Sequence, residues 1–361
     1  MSDDCCGLPE HTGARRKRRS LPARALNWLQ SAPRWAYFAL TADLPKASLY
    51  SKRGQDAPWH RPLENPEWRN LGRAEHMRDD DPVLGLHLFG GSWAIPWWIH
   101  KNHHVGNLEL NGRFVLVTLC EACSGASAFD PVVNGQRLRF HPVGHYNGTI
   151  LTSDYQTGSY WSPFTGLCLS GKLKGEVLPR YPLTQCNWGV WKDLHPDTLV
   201  PWAEQGMREG HGAGHVPGAG HVGPGFANTL EHPIDERLPV PEMVLGVQNA
   251  GISRAYRMST LTEAGPVLHD RLGGLDIVIL HVPETFHALA FAAELDGQPL
   301  RLQQADNAGI VDPATGSRWS YDGECFEGQL KGRQLSFVTS WAEEWYGWAA
   351  YHPDTEVYTP A

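Results

Sequence analysis

Short apolar runs broken by glycine, proline and asparagine run through most of this chain. "RFVLVTLC", ending at Cys120, and "DIVILHV", ending at Val282, are dense in Val, Ile and Leu. Runs of this length and composition, bounded by turn residues, predict β-strands. "AFDPVVNGQRLRF" reads strand, turn, strand, with Asn134-Gly135 supplying the positive φ angles of a type I′ hairpin, and Asp296-Gly297 in "LDGQPLRL" does the same. Helical periodicity is sparse. "TQCNWGVWKDLHPDT" and "TSWAEEWYGWAAYHPDT" each predict one short helix stopping before His-Pro, because proline drives the preceding residue out of the α region. The expected class is therefore mainly β, of α+β type, with few short helices.

The same strings recur. "DYQTGSYWSPFTGLCLSGKLKG" from Asp154 is echoed by "DPATGSRWSYDGECFEGQLKG" from Asp312, "HPDTLV" from His195 by "HPDTEV" from His352, and "VLGL" from Val83 by "VLGV" from Val244. Two pseudo-repeated units are expected, residues 83–200 and 244–358, packed into one body. Trp161 and Trp319, beyond the glycine turns of each unit, are expected in the core. Residues 1–80 have no counterpart and read as an arm, with an amphipathic helix around "LPARALNWLQSA" and an extended Pro- and Trp-rich stretch after it. Residues 201–243, Gly-rich with His211, His215, His221 and His232, read as a connecting loop.

Composition narrows the function classes. The 361 residues are 41% hydrophobic and 19% charged with a net charge of −8, so nucleic-acid binding finds no basic surface outside the "RRKRRS" of residues 15–20, which reads as a solvated arm. No apolar run approaches a bilayer span. Seven scattered cysteines, an odd count, suit a reducing, cytoplasmic compartment rather than a disulfide framework. Phosphate-loop, dinucleotide and nucleophile-elbow fingerprints are lacking.

The strongest chemical signal is "VTLCEACSGASAFD". Cys120 and Cys123 can clamp a soft or borderline ion, since both thiolates reach one point from a tight turn. His141 and His145 in "HPVGHYNG", and His103 and His104 in "WIHKNHHVG", are the candidate further ligands. A redox dithiol and two inert buried thiols are the competing readings of the pair. Comparing the units gives a control: Val282 and Thr285 stand opposite Cys120 and Cys123, so the thiols are not required by the repeat. His141, His145, Tyr146 and Asn147 likewise occur in the first unit only, which makes that unit the expected site.

The Cys-x-x-Cys, the Tyr146-Asn147 pair, the "TGSYWS" turn and the "HPDT" end together resemble the domain-of-unknown-function 3179 family. In that family the first motif reads "CPLCG", so Glu121 replaces a proline, and His141 and His145 stand where relatives are apolar. The resemblance implies a fold and a site region more than a reaction; family members are often exported, and no export signal is evident here. The expectation is a copper- or zinc-dependent protein, with an oxidoreductase among the options. Cys120, Cys123 and His145 are its ligands, His103, His104 or His141 completes the shell, and Tyr146 and Asn147 orient a small molecule or peptide. The rival is a non-catalytic binding module whose groove is formed by Trp93, Trp97 and Trp98.

Overall fold

The computed structural model describes residues 43–50, 61–203, 218, 222–305 and 309–360. The apolar runs are strands, as their composition predicts. Pro82–Leu88 lies between Gly91–Pro96 and Thr184–Asn187 in a three-stranded antiparallel sheet. Arg113–Cys120 lies between Val105–Leu110 and Gly125–Phe129 in a five-stranded one. Alternation along these strands turns Leu84, Leu86, Ile95, Leu108, Val115 and Val117 into one core. In the second half Met243–Asn249 lies between Ile252–Arg257 and Ser340–Glu344, and Leu275–His281 between Val267–Leu272 and Ala288–Ala292. Leu245, Val247, Tyr256, Ile277, Ile279 and Ala290 fill the equivalent space there.

Both predicted hairpin turns form, with φ of 51° and 77° at Asn134 and Gly135 and 51° and 75° at Asp296 and Gly297. The two helices before His-Pro are Trp188–Leu194 and Trp345–Tyr351, and His195 and His352 leave helical geometry with φ of −131° and −136°. Several local contacts occur twice. Trp191 Nε1 donates to Thr198 Oγ1 at 2.8 Å and Trp348 Nε1 to Thr355 Oγ1 at 2.9 Å. Thr157 donates to Asp154 at 2.8 Å and Thr315 to Asp312 at 2.7 Å. Trp161 and Trp319 are both buried, but only Trp161 finds an acceptor, Asp154 Oδ2 at 2.9 Å.

Each paired indole leans on a glycine in the facing strand. A Cβ at Gly85 would lie 2.2 Å from the Trp191 ring, and one at Gly246 would lie 2.0 Å from the Trp348 ring. Because the hydroxyl of Thr355 holds Trp348 in place, the ring cannot retreat. Gly246→Ala is therefore expected to destabilise the fold by roughly 1–3 kcal/mol through overpacking, read as a lower urea midpoint.

Two segments outside the repeated stretches join the first half. Ser48–Leu49 adds a strand to Phe140–Tyr146, and Leu63–Glu64 pairs in parallel with Val105–Leu110. The expected N-terminal helix, Cys5, Cys6, His211, His215 and His221 lie outside the described residues. The tryptophan groove requires a correction. Trp93, Trp97 and Trp98 are 3%, 1% and 2% exposed, because alternation along Gly91–Pro96 and the helix Trp97–His100 turn all three inward. They are core residues and offer no face to a ligand.

Candidate functional site

Among the described residues, a single group of three or more histidine, cysteine or acidic side chains gathers its ligand atoms within 4.8 Å of one another: His195, His287 and Asp322. Each comes from a different local device. His195 follows the helix Trp188–Leu194, and its ring packs on Trp191 with centroids 3.9 Å apart. His287 precedes the strand Ala288–Ala292, where its backbone N–H donates to Thr285 Oγ1 at 3.0 Å. Asp322 sits in the turn between Ser317–Trp319 and Cys325–Glu327.

The two imidazoles of this group are buried, and its polar atoms are incompletely matched. His195 Nε2 approaches Asp322 Oδ2 at 3.3 Å, while neither ring nitrogen of the fully buried His287 has a hydrogen-bond partner. Burial holds both imidazoles at about 3, in the neutral form that can offer a lone pair, with His87 and His287 adding to the effect on His195. Burial also pushes the Asp322 carboxyl up. His195 Nδ1 meets Ser92 Oγ at 3.2 Å, and the same hydroxyl meets His87 Nδ1 at 2.8 Å. Ser92 can accept the Nδ1 proton and pass its own to His87, which leaves His195 Nε2 free to ligate; such outer partners orient the imidazoles of metal centres. Asp322 and His87 also line a cavity of about 440 Å³.

The cysteines occupy a different place. Cys120 ends its strand, and the 3₁₀ turn Glu121–Cys123 brings Cys123 Sγ to 3.9 Å from Cys120 O. Both are fully buried free thiols against the second half's Trp341, Trp345 and Tyr346. Burial opposes ionisation of Cys120, but the Cys123 thiol and nearby backbone amides bring it below its usual value; burial and the neighbouring Cys120 push Cys123 well above. Glu343 lies beside them with Oε1 unpartnered while Trp341 Nε1 donates to Oε2. Burial raises Glu343 to about 8. Ser124 Oγ donates to Glu344 Oε1 at 2.8 Å, and the Arg180 guanidinium stacks 4.0 Å over Trp341.

The second half shows what the fold itself asks of this turn. Thr285 Oγ1 donates to Val282 O at 2.7 Å, the contact that Cys123 makes with Cys120 O. A double variant, Cys120→Val with Cys123→Thr, copies that turn. It is expected to fold, with a loss of roughly 1–3 kcal/mol measured by chemical denaturation, because both replacements add volume at fully buried positions.

The remaining predicted residues are dispersed. No three of Cys120, Cys123, His103, His104, His141 and His145 share ligand atoms within 4.8 Å. His103 Nδ1 bonds Arg61 O at 2.7 Å, His104 Nδ1 lies 3.3 Å from Leu119 O, and His141 stacks on Tyr155 at 4.3 Å. His145 packs between Tyr50 and Phe226, with centroids 5.2 and 4.2 Å away. Asn147, at φ 48°, forms a turn and has its amide occupied: it donates to Ala350 O at 2.7 Å and accepts from Glu231 N at 3.0 Å. Tyr146 is half-buried, and burial with Glu231 nearby raises it to about 12.

None of His195, His287 and Asp322 is among the sequence-predicted ligands. A signal existed for one of them. Leu335 N donates to Gly323 O at 2.9 Å as Leu178 N does to Gly166 O at 3.0 Å, so Asp322 stands where the first half has Thr165. Like the thiols, this acid is present in one half only.

The fold and the buried His-His-Asp group define a strand-rich protein with a candidate metal centre formed across its two halves. A family model described as a protein of unknown function, DUF3179, matches residues 62–355, and the chain belongs to that family. No curated protein and no solved structure matches it. No helix of the described residues is long and apolar enough to cross a membrane.

Proposed function

We propose that this is a metal-dependent protein that holds a divalent ion, zinc by donor chemistry, on His195, His287 and Asp322 and presents it to a small molecule in the adjoining cavity. The observation that carries this reading is the convergence of three ligand atoms within 4.8 Å in a buried place where both nitrogens of His287 lack a partner. A buried polar atom left unmatched costs about 1–3 kcal/mol, so an occupant that accepts both imidazole lone pairs and neutralises the carboxylate removes a standing penalty. Two imidazoles and one carboxylate, without a thiolate, suit zinc or iron(II) better than copper(I). Three protein ligands leave a coordination position open, the arrangement of catalytic rather than structural zinc. The cavity wall shared through Asp322 supplies the place from which that position is reached.

The test is elemental analysis of purified protein reconstituted separately with zinc, iron(II) and copper. One ion per chain is expected in the wild type and in the Cys120→Val, Cys123→Thr variant, and none in Asp322→Ala. Retention of the ion by Asp322→Ala together with its loss from the cysteine variant would move the centre to the thiols and overturn this reading.

A further inference from the structure

The cavity beside the proposed ion has a composition that selects its occupant. Its walls are apolar: Leu183, Leu289, Phe291 and Leu335 are buried there, with Phe89 and Phe337 half-buried. No lysine or arginine is among the lining residues. Glu324 lines the cavity too, half-exposed, with its Oε2 at 3.3 Å from His87 Nε2. One further lining residue is unusual. Thr184 is 3% exposed, and its Oγ1 has no hydrogen-bond partner. Its backbone is committed to the strand pairing with Gly85, so the hydroxyl alone is available to a ligand.

We infer that the cavity receives a small monocarboxylic acid with an aromatic or branched-aliphatic body, one carboxylate oxygen on the ion and the other accepting from the Thr184 hydroxyl. The inference rests on the metal reading above. A divalent ion held by two neutral imidazoles and one carboxylate keeps one net positive charge, which a single anionic oxygen donor satisfies. With no lysine or arginine in the wall, a second anionic group on the ligand meets no permanent positive charge, and Glu324 repels it; phosphate esters and dicarboxylates are thereby disfavoured. A sugar is disfavoured because polar side chains line the cavity only at His87, Thr184, Asp322, Glu324 and Gln334, and hydroxyls turned toward the leucines and phenylalanines would go unpaired. An apolar body loses nothing there and gains the removal of its surface from water. Volume is consistent, since about 440 Å³ falls in the range of small-molecule pockets.

Cobalt(II)-substituted protein, with benzoate as the probe, tests both levels separately. Cobalt uptake is followed by its visible absorption, and uptake must be lost in Asp322→Ala; failure at this step sinks the metal reading and the inference with it. Benzoate is then titrated by calorimetry and by the change in the cobalt spectrum. It is expected to bind at least about tenfold more tightly to metal-loaded than to metal-free protein, and at least about tenfold more tightly than benzylamine or inorganic phosphate. Thr184→Val keeps the β-branched shape and the metal, and should weaken benzoate by about tenfold, the scale of one hydrogen bond. Cobalt binding with no benzoate effect, tighter binding of benzylamine or phosphate, or undiminished benzoate affinity in Thr184→Val each overturns the inference while leaving the metal centre standing.

Discussion

His287→Ala is expected to lower zinc affinity by more than the roughly 10–100-fold that loss of an outer-shell partner costs, because it removes one of the three ligands proposed for the ion. The fully buried imidazole has no hydrogen-bond partner to strand on its removal. The variant should therefore remain folded and lose only packing, which keeps the two effects separable. For the wild type, zinc at a hundred times its dissociation constant stabilises the native state by about 2.7 kcal/mol through mass action. In His287→Ala that metal-dependent increment in the melting temperature should vanish, separately from the metal-independent fall caused by the cavity that the lost ring leaves. Competition against a chromophoric chelator gives the affinity directly. Equal zinc affinity in the two proteins would place the ion elsewhere.

Glu343→Gln is expected to change the pH dependence of stability more than any other single substitution near the thiols. Glu343 is fully buried, and its carboxyl stands at about 8 against an ordinary value of 4.5, chiefly through burial; Cys120 and Glu344 add to the rise and Trp341 and Arg180 oppose it. Cys123, Tyr346 and Tyr351 lie within electrostatic reach as well. The sign follows from proton counting. Between 4.5 and about 8 the folded chain keeps a proton that the unfolded chain has released, so stability falls as pH rises, by up to roughly 1.4 kcal/mol per unit. Below that window both states are protonated, and the contribution is constant. Glutamine mimics the protonated acid at every pH. The two proteins should match at pH 4, and the variant should be more stable by a few kcal/mol at pH 8.5, as read by urea denaturation at both values. A difference that does not change with pH would mean that Glu343 is ionised across the range.

What could be read without the fold was local chemistry. The strands follow from runs of β-branched and leucine residues, the hairpins from Asn134-Gly135 and Asp296-Gly297, and the helix ends from His-Pro; each is decided within a few residues of chain. The candidate centre depends instead on how distant pieces pack. His195 belongs to an "HPDT" string shared by both halves, and so looked like a scaffold residue. His287 and Asp322, which gather beside it, arrive from a strand entry and a turn far along the chain. Comparison of the halves singles out side chains confined to the first half. Turned round, it picks out Asp322, which stands opposite Thr165. The two thiols are local and visible in the sequence, whereas their surroundings, the buried Glu343 and a tryptophan-rich wall, are supplied by residues more than two hundred positions away.

The order in which these two sheets close has a biosynthetic consequence. Thr184–Asn187 pairs with Pro82–Leu88, and Ser340–Glu344 pairs with Met243–Asn249, so each half is completed by a strand made about a hundred residues after its partner. A nascent chain can finish the first half, with His195 in position, before the ribosome has produced His287 or Asp322. A single histidine has little hold on zinc. On the proposed centre, zinc would be captured only after His287 and Asp322 have been made and packed against His195, so loading with metal would report that these distant segments have come together.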